Sequence, residues 1–318
     1  MNDDGVDMNL LPAVVGPTVF GMSATDLLAW VVVAAFLIGS ALDAYDRDLA
    51  RYVLAATWAT FGLFWLAVFP HFAFEVRSFV EGGLALAAVP ACIYTGYLLL
   101  QGRDRLHLLS KAVGIMGLVY HPTQAIPAVR EFLIEEVARQ TLWGIHLLGY
   151  TPEFTTGPEY GYQNMYVFSE FATYIVYACT GIGSMAIFAG LIVAVDAPLR
   201  RKVRSFALAI GVIWVLNIGR NVFVAVAAGR GWFTQGPVLW LAQTAGVAET
   251  HASFWFAHSV ISQLLSVVAL VGITWVVVHV LPELLGVLEE VLFVATGTEY
   301  DLGTALGISD PVRADGGE

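Results

Sequence analysis

The sequence predicts an all-α, polytopic transmembrane helical bundle of about seven spans, with its N-terminus outside. Three observations predict it. Of 318 residues, 58% are hydrophobic and only 13% charged, with a mean hydropathy of +0.73, whereas a soluble domain carries roughly a quarter charged residues. Apolar runs recur at about residues 25–42, 51–70, 84–100, 108–127, 171–196, 205–228 and 256–281, each close to or above the ~20 residues that cross a bilayer. Basic residues also gather in alternate loops, which orients the spans.

Residues 1–24 form an acidic leader, MNDDGVDMNL at its start. It lacks the basic n-region of a cleaved signal peptide, so the first span reads as a retained helix. Residues 25–128 hold the N-terminal spans. Arg47 and Arg51 follow the first span, Arg103, Arg105 and Lys111 the third, and Arg200, Arg201, Lys202 and Arg204 the fifth. That side should be the cytoplasm. The opposite side receives Arg77, Arg130, Arg139 and Arg230.

Residues 129–170 combine two outer elements. Segment 129–149 mixes charges with an apolar stripe and reads as an amphipathic helix at the outer interface. The stretch TPEFTTGPEYGYQNMY after it, rich in Gly, Pro and Tyr, reads as an ordered extracellular loop, and the sequence leaves open whether Tyr160 to Tyr166 gate a site. Residues 171–281 hold the spans that carry the chemistry. Residues 282–318 form a cytoplasmic tail whose LPELLGVLEEVLFVATG carries Glu283, Glu289 and Glu290. It reads as an amphipathic helix, and the count becomes eight if it crosses instead.

The formal charge is −11, and Lys111 and Lys202 are the only lysines. This acidic, lysine-poor balance suits a high-salt cytoplasm, where self-repulsion is screened, and points to a halophile. The chain has no basic patch interleaved with aromatics, so nucleic acid is not an expected partner. The spacing of His and Cys matches no zinc site and HExxH is missing, so neither a metal nor a cofactor is expected. GIGS at 181–184 is not the GxSxG nucleophile elbow of serine hydrolases.

Three residues in separate apolar segments stand out: Cys179 in ACTGIGS, Arg220 in LNIGRNVF and His258 in FWFAHSV. Continuous helix would put Cys179, 21 residues before Arg200, about 30 Å from the cytoplasmic boundary at ~1.5 Å per residue. Arg220, 16 residues beyond Arg204, rises about 24 Å by the same measure. His258 follows the outer loop 230–253, so all three reach a similar outer level. A thiol, a permanent cation and an imidazole are the parts of acyl transfer through a thioester, because a cation favours the reactive thiolate.

Each residue also has a plainer explanation. Cys tolerates apolar helices, as Cys92 in the third span does. An Arg inside an apolar run costs roughly 2.5–3.5 kcal/mol to insert and so needs a partner. Asn217 and Asn221 on its own helix are the supporting polar neighbours, and loop carbonyls are the alternative. His258 has rivals in His251, His146, His121 and His71, of which His121 precedes Pro122 and marks a kink. Gly181 and Gly183 read as the means by which a neighbouring helix approaches Cys179 closely.

At these residues the sequence resembles the exosortase/archaeosortase family, over roughly 170–262. The match rests on ACTGIGS, NxxRN and the FxxxH that ends at His258, in that order on successive spans. The resemblance implies a membrane-embedded cysteine transpeptidase that processes C-terminally tagged surface proteins such as an S-layer glycoprotein. For archaeosortases the tag is a Pro-Gly-Phe motif, a transmembrane helix and a basic cluster, and the new C-terminus is joined to a membrane lipid. Cys179 matches the family's acyl-thioester nucleophile and Arg220 its arginine, to which family descriptions give a proton-donor role. His258 matches a third position that is His or Arg. An arginine has five fixed donors and suits an oxyanion, whereas a histidine exchanges protons near neutral pH. The basic cluster of the tag would then meet the acidic cytoplasmic tail. A multispan transporter or scaffold whose Arg220 binds an anion is the rival reading, and it has no use for Cys179.

Overall fold

The computed structural model describes residues 23–75, 79–157, 161–169 and 171–308. The acidic leader up to residue 22, Arg77, Tyr160 and the last ten residues of the tail lie outside the described residues. The chain forms two compact units, one running through Gly117 with Gly286–Leu302 added, the other Leu118–Leu285 with the chain from Gly303.

The first unit is built on α1 (Ala24–Leu42), α2 (Arg47–Pro70) and α3 (Phe79–Leu100). Ser23 caps α1 by accepting from Asp26 N at 3.1 Å, and Asp46 caps α2 by accepting from Leu49 N at 2.9 Å. Phe36, Leu54 and Trp58 form the core, and Trp58 Nε1 donates to Ser110 Oγ at 2.8 Å. Helices α2 and α3 cross tightly: a Cβ on Gly96 would sit 2.9 Å from the Ala55 carbonyl oxygen. Cys92 is buried in this packing as a small apolar side chain. Beyond α3, Asp104 accepts from Arg51 at 3.0 Å, and that guanidinium holds its carboxyl below the usual carboxylate range.

The second unit surrounds the long helix α7. After α4 (Leu106–Ala125), which begins in the first unit, come α5 (Pro127–Leu147) and three short strands, β1 (Glu153–Thr156), β2 (Gln163–Val167) and β3 (Ala172–Tyr174). The strands form one antiparallel sheet in the order β1-β2-β3. Helices α6 (Ile182–Ala194), α7 (Leu199–Gly229) and α8 (Gly236–Thr244) follow. A continuous helical stretch then runs through α9 (Ala252–Trp255), a π-helical segment (Phe256–Ile261) and α10 (Ser262–Val280). The core of this unit joins Ile134, Val137, Ala138 and Ile145 of α5 to Tyr166 of β2 and to Val222, Ala225 and Val226 of α7. Gly144 allows the α5–α7 approach, since its Cβ would fall 2.6 Å from a Val222 methyl.

The all-helical expectation therefore needs one correction: residues 153–174 are a folded sheet and not a loop. In β2 the buried Asn164 and Tyr166 alternate with more exposed neighbours, the period-2 signature of a strand. Asn164 fastens the sheet by accepting from Gly157 N at 3.0 Å and donating to the Ile175 carbonyl at 2.8 Å. Tyr166 donates to the Ala138 carbonyl at 2.7 Å, and burial pushes its hydroxyl well above the ordinary tyrosine range.

Among the described residues, five helical stretches are long and apolar enough to cross a membrane: Ala24–Leu42, Arg47–Phe74, Glu81–Leu100, Leu199–Gly229 and Glu249–Val280. Two of the seven expected runs differ. Helix α4 has the length but carries His107, Ser110, Lys111, His121, Thr123 and Gln124. Run 171–196 yields only the 13 residues of α6, about 20 Å of helix against a ~30 Å hydrocarbon core.

The tail is helical, as α11 (Leu284–Thr296) and α12 (Leu302–Leu306), but its carboxylates are engaged. Within the first unit Glu290 binds Arg103, Nη2 to Oε1 at 2.9 Å, and Glu289 accepts from Leu302 N at 2.9 Å. Within the second, Glu283 takes both Nη atoms of Arg201. All three glutamates are buried. They serve the chain's own arginines and backbone, so they are not a free acidic surface for a substrate's basic cluster.

Candidate active site

Cys179 lies on a single 3-10 turn, Tyr177–Thr180, between β3 and α6. Its N–H donates to the Val176 carbonyl at 2.9 Å, and Thr180 Oγ1 donates to the Tyr177 carbonyl at 2.7 Å. Tyr177 anchors the turn through its hydroxyl, which meets Thr123 Oγ1 at 2.7 Å and donates to the Tyr120 carbonyl at 3.2 Å. Gly181 then takes φ +77° before α6 starts, a left-handed conformation that costs any side-chain-bearing residue. The thiol is half-buried and packs at the margin of the second unit's core.

This placement overturns the continuous-helix premise used to set the depth of Cys179. Residues 177–181 are a turn, and residues 195–198 separate α6 from α7, so 21 residues do not measure 30 Å. The rise for Arg220 stands on firmer ground, because Arg204 and Arg220 share the unbroken α7.

Helix α7 brings three polar residues to one face, since positions i, i+3 and i+4 are neighbours. Asn217 Nδ2 donates to the Cys179 carbonyl at 2.8 Å and Asn221 Nδ2 to the same oxygen at 2.9 Å. Both amides had been expected to partner Arg220. Instead, Arg220 Nη2 lies 3.2 Å from His258 Nε2. The guanidinium Nε is buried and, among the described residues, without a hydrogen-bond partner.

His258 sits on the π-helical segment, half-buried and stacked on Phe254, with ring centroids 5.2 Å apart and planes at 13°. Its Nδ1 is 3.4 Å from Ser259 Oγ. The helix is pinned to α7 one turn earlier: Ser253 Oγ donates to the Ala227 carbonyl at 2.8 Å and accepts from Phe233 N at 3.2 Å. Of the rival histidines, His251 reaches His258 only through the rings of Phe171 and Phe254. His251 faces Phe171 and Thr250, and His71 stacks edge-on with Phe72 in the first unit.

The structure thus joins Arg220 to His258 directly, and Cys179 to the Arg220-bearing helix through the two asparagines. Among the described residues, no hydrogen bond links the Cys179 thiol to Arg220 or His258. Sequence reasoning missed the sheet that leads into the Cys179 turn, and Tyr177 and Thr180 that brace it. The aromatic and β-branched alternation of QNMYV and ATY was the available signal. Gly181 does admit a close neighbour, since its Cβ would lie 3.0 Å from Asn217 Cγ. Gly183 does not need to be glycine on this ground, its nearest contact being Tyr120 at an ordinary 3.7 Å.

Residues 23–237 match the family described as transmembrane exosortase (Exosortase_EpsH), a span that includes Cys179 and Arg220 and ends before His258. Archaeosortase A of Haloferax volcanii is 46% identical over 301 residues, covering 89% of this chain and 98% of that protein. Archaeosortase A of Natronomonas pharaonis is 46% identical over 289 residues, covering 87% of this chain and 91% of that protein. No solved structure matches the chain.

Proposed function

The chain belongs to the transmembrane exosortase family, a multi-pass membrane sorting transpeptidase, and on that premise we propose that it works by acyl transfer through a Cys179 thioester. Its substrates are exported surface proteins with a C-terminal Pro-Gly-Phe-type tag. Cys179 attacks a backbone carbonyl of the tag, and the tetrahedral oxyanion is stabilised by Arg220. Once Arg220 turns to the oxyanion, His258 Nε2 takes the proton that the thiol gives up; collapse then breaks the C–N bond, and His258 passes that proton to the amine of the departing tail. An amine-bearing membrane lipid then attacks the thioester, the C–S bond breaks, the amine's proton returns to the Cys179 sulfur through His258, and the surface protein is left lipid-linked. The site faces outward from the cytoplasmic membrane, with the N-terminus outside.

One observation carries this reading: α7 holds the carbonyl of Cys179 with two amides while presenting Arg220 between them, with one guanidinium nitrogen unengaged. A transporter has no reason to fasten a cysteine backbone to the helix that carries its charged residue. The test is Cys179→Ala, which should abolish tail removal, seen as a mobility shift of a tagged surface protein, while enzyme abundance in the membrane stays normal. Cys92→Ala should leave processing intact, because Cys92 is a buried packing residue of the first unit. Normal maturation with Cys179→Ala would rule out the thioester.

A further inference from the structure

We propose that Asn217 and Asn221 are positioning residues that act together on the Cys179 carbonyl, so that α7 fixes where the nucleophile stands relative to Arg220. This rests on the reading of Cys179 as nucleophile.

The chain path creates the need. Gly181 at φ +77° breaks the helical continuation, so among the described residues no backbone N–H donates to the Cys179 carbonyl. A half-buried carbonyl without a donor would be costly, and its oxygen has two lone pairs. Asn217 and Asn221 occupy that oxygen with two amides, at 2.8 and 2.9 Å. Neither residue is a good helix former, and Asn221 is buried, so both sit where their own preferences would not put them.

The geometry also restricts what can replace them. Asn217, Arg220 and Asn221 share one face of an unbroken helix. A displacement of the Cys179 turn relative to Arg220 must therefore stretch a hydrogen bond to α7 itself. Gly181 leaves room for the Asn217 amide to lie against the turn, within 3.0 Å of where a Cβ would be. A carboxylate of the same shape would fill the space but has no proton to donate.

Two donors on one oxygen make a specific forecast. With one amide lost the other still holds the turn, and with both lost the turn is released. The experiment uses the full-length enzyme in native membranes, in a Cys92→Ala background, with Asn217→Ala, Asn221→Ala, the double variant, and the isosteric Asn217→Asp and Asn221→Asp. The first readout is the rate at which iodoacetamide alkylates Cys179 without substrate. The second is kcat and KM on the surface protein whose maturation Cys179→Ala blocks.

Each single alanine should lower kcat about tenfold with KM within about twofold, a nucleophile ~1 Å out of place costing up to ~10²-fold. The double variant should fall by more than the product of the singles, and alkylation should change in the same order. Each aspartate should be at least as damaging as its alanine, while Asn217→Gln, which keeps the donors on a longer arm, should recover part of the rate. Activity that falls only in step with folded enzyme in the membrane, strictly multiplicative singles, or aspartates that work normally would each overturn the proposal. Alkylation needs no substrate, so the carbonyl clamp is decided even if Cys179→Ala turns out to process normally and the thioester reading falls.

Discussion

Arg220 Nη2 stands 3.2 Å from His258 Nε2, and this contact settles which way its hydrogen bond runs. A guanidinium only donates, so the imidazole nitrogen accepts. The remaining ring proton is then on Nδ1, towards Ser259 Oγ at 3.4 Å. In this arrangement Nε2 is not available to the Cys179 thiol, whereas Arg220 Nε still has its proton to offer. On the proposed mechanism this nitrogen is the one that would meet an incoming oxygen first.

Arg220→Lys should fail nearly as badly as Arg220→Ala, by roughly 10²–10³-fold in kcat as for other lost oxyanion donors. Lys keeps the charge but has no planar fork with which to touch His258 and substrate together. The fraction of matured surface protein in a complemented deletion strain reads this out. Near-full maturation with Lys would reduce Arg220 to a point charge.

His258→Gln separates holding from proton transfer. The Gln carbonyl oxygen can accept from Arg220, so the guanidinium keeps a partner, but an amide does not exchange protons near neutral pH. Maturation should fall by about 10²–10⁴-fold, the usual span for a lost general acid or base. If Gln supports normal processing, His258 only positions Arg220.

Gly181→Ala and Gly183→Ala should differ sharply although two residues apart. The first forces a Cβ into φ +77° and to 3.0 Å from Asn217 Cγ; the second meets Tyr120 at 3.7 Å. The left-handed backbone alone costs about 1–2 kcal/mol. Gly181→Ala should therefore slow maturation at least tenfold while Gly183→Ala is within twofold, by pulse-chase gel mobility. Equal effects would mean the turn is not held as described.

A small membrane-impermeant thiol reagent should modify Cys179 on intact cells and leave Cys92 alone. Cys179 is half-buried, whereas Cys92 is 3% exposed. Peptide mapping after labelling distinguishes the two. Modification of Cys179 only in inverted vesicles would reverse the orientation inferred from the loop arginines and lysines, and with it a role in surface-protein sorting.

Cys179, Arg220 and His258 were legible as separate signals because each is expensive or reactive where it stands. Their connections were not. Helical spacing suggested Asn217 as Arg220's neighbour, and the two do share a face, but the amide turns to the carbonyl of a residue 38 positions away. No local pattern reports such a partner. Residues 171–181 read as membrane because Tyr, Ile, Val and Ala are apolar in strand, turn and helix alike, and hydropathy does not separate the three. Glu289 and Glu290 do lie on a helix as expected, whereas Glu283 sits in the turn before it. The burial of Glu290 against Arg103 and of Glu283 against Arg201 depends on contacts about 190 and 80 residues apart in sequence.

The π-helical segment Phe256–Ile261 has a consequence for how this site can change. Its i→i+5 bonding takes up one residue more than an α-turn, which offsets the faces before and after it by about 100°. Leu264, Leu265, Val267, Val268 and Val271 of α10 therefore keep their exposed apolar side independently of the direction in which His258 points. The bulge works as a phase adjuster between a bilayer-facing register and a chemical one. Substitutions along α10 can follow membrane thickness or composition without disturbing the imidazole, whereas deleting a single residue between 256 and 261 would merge the two registers and swing His258 away from Arg220.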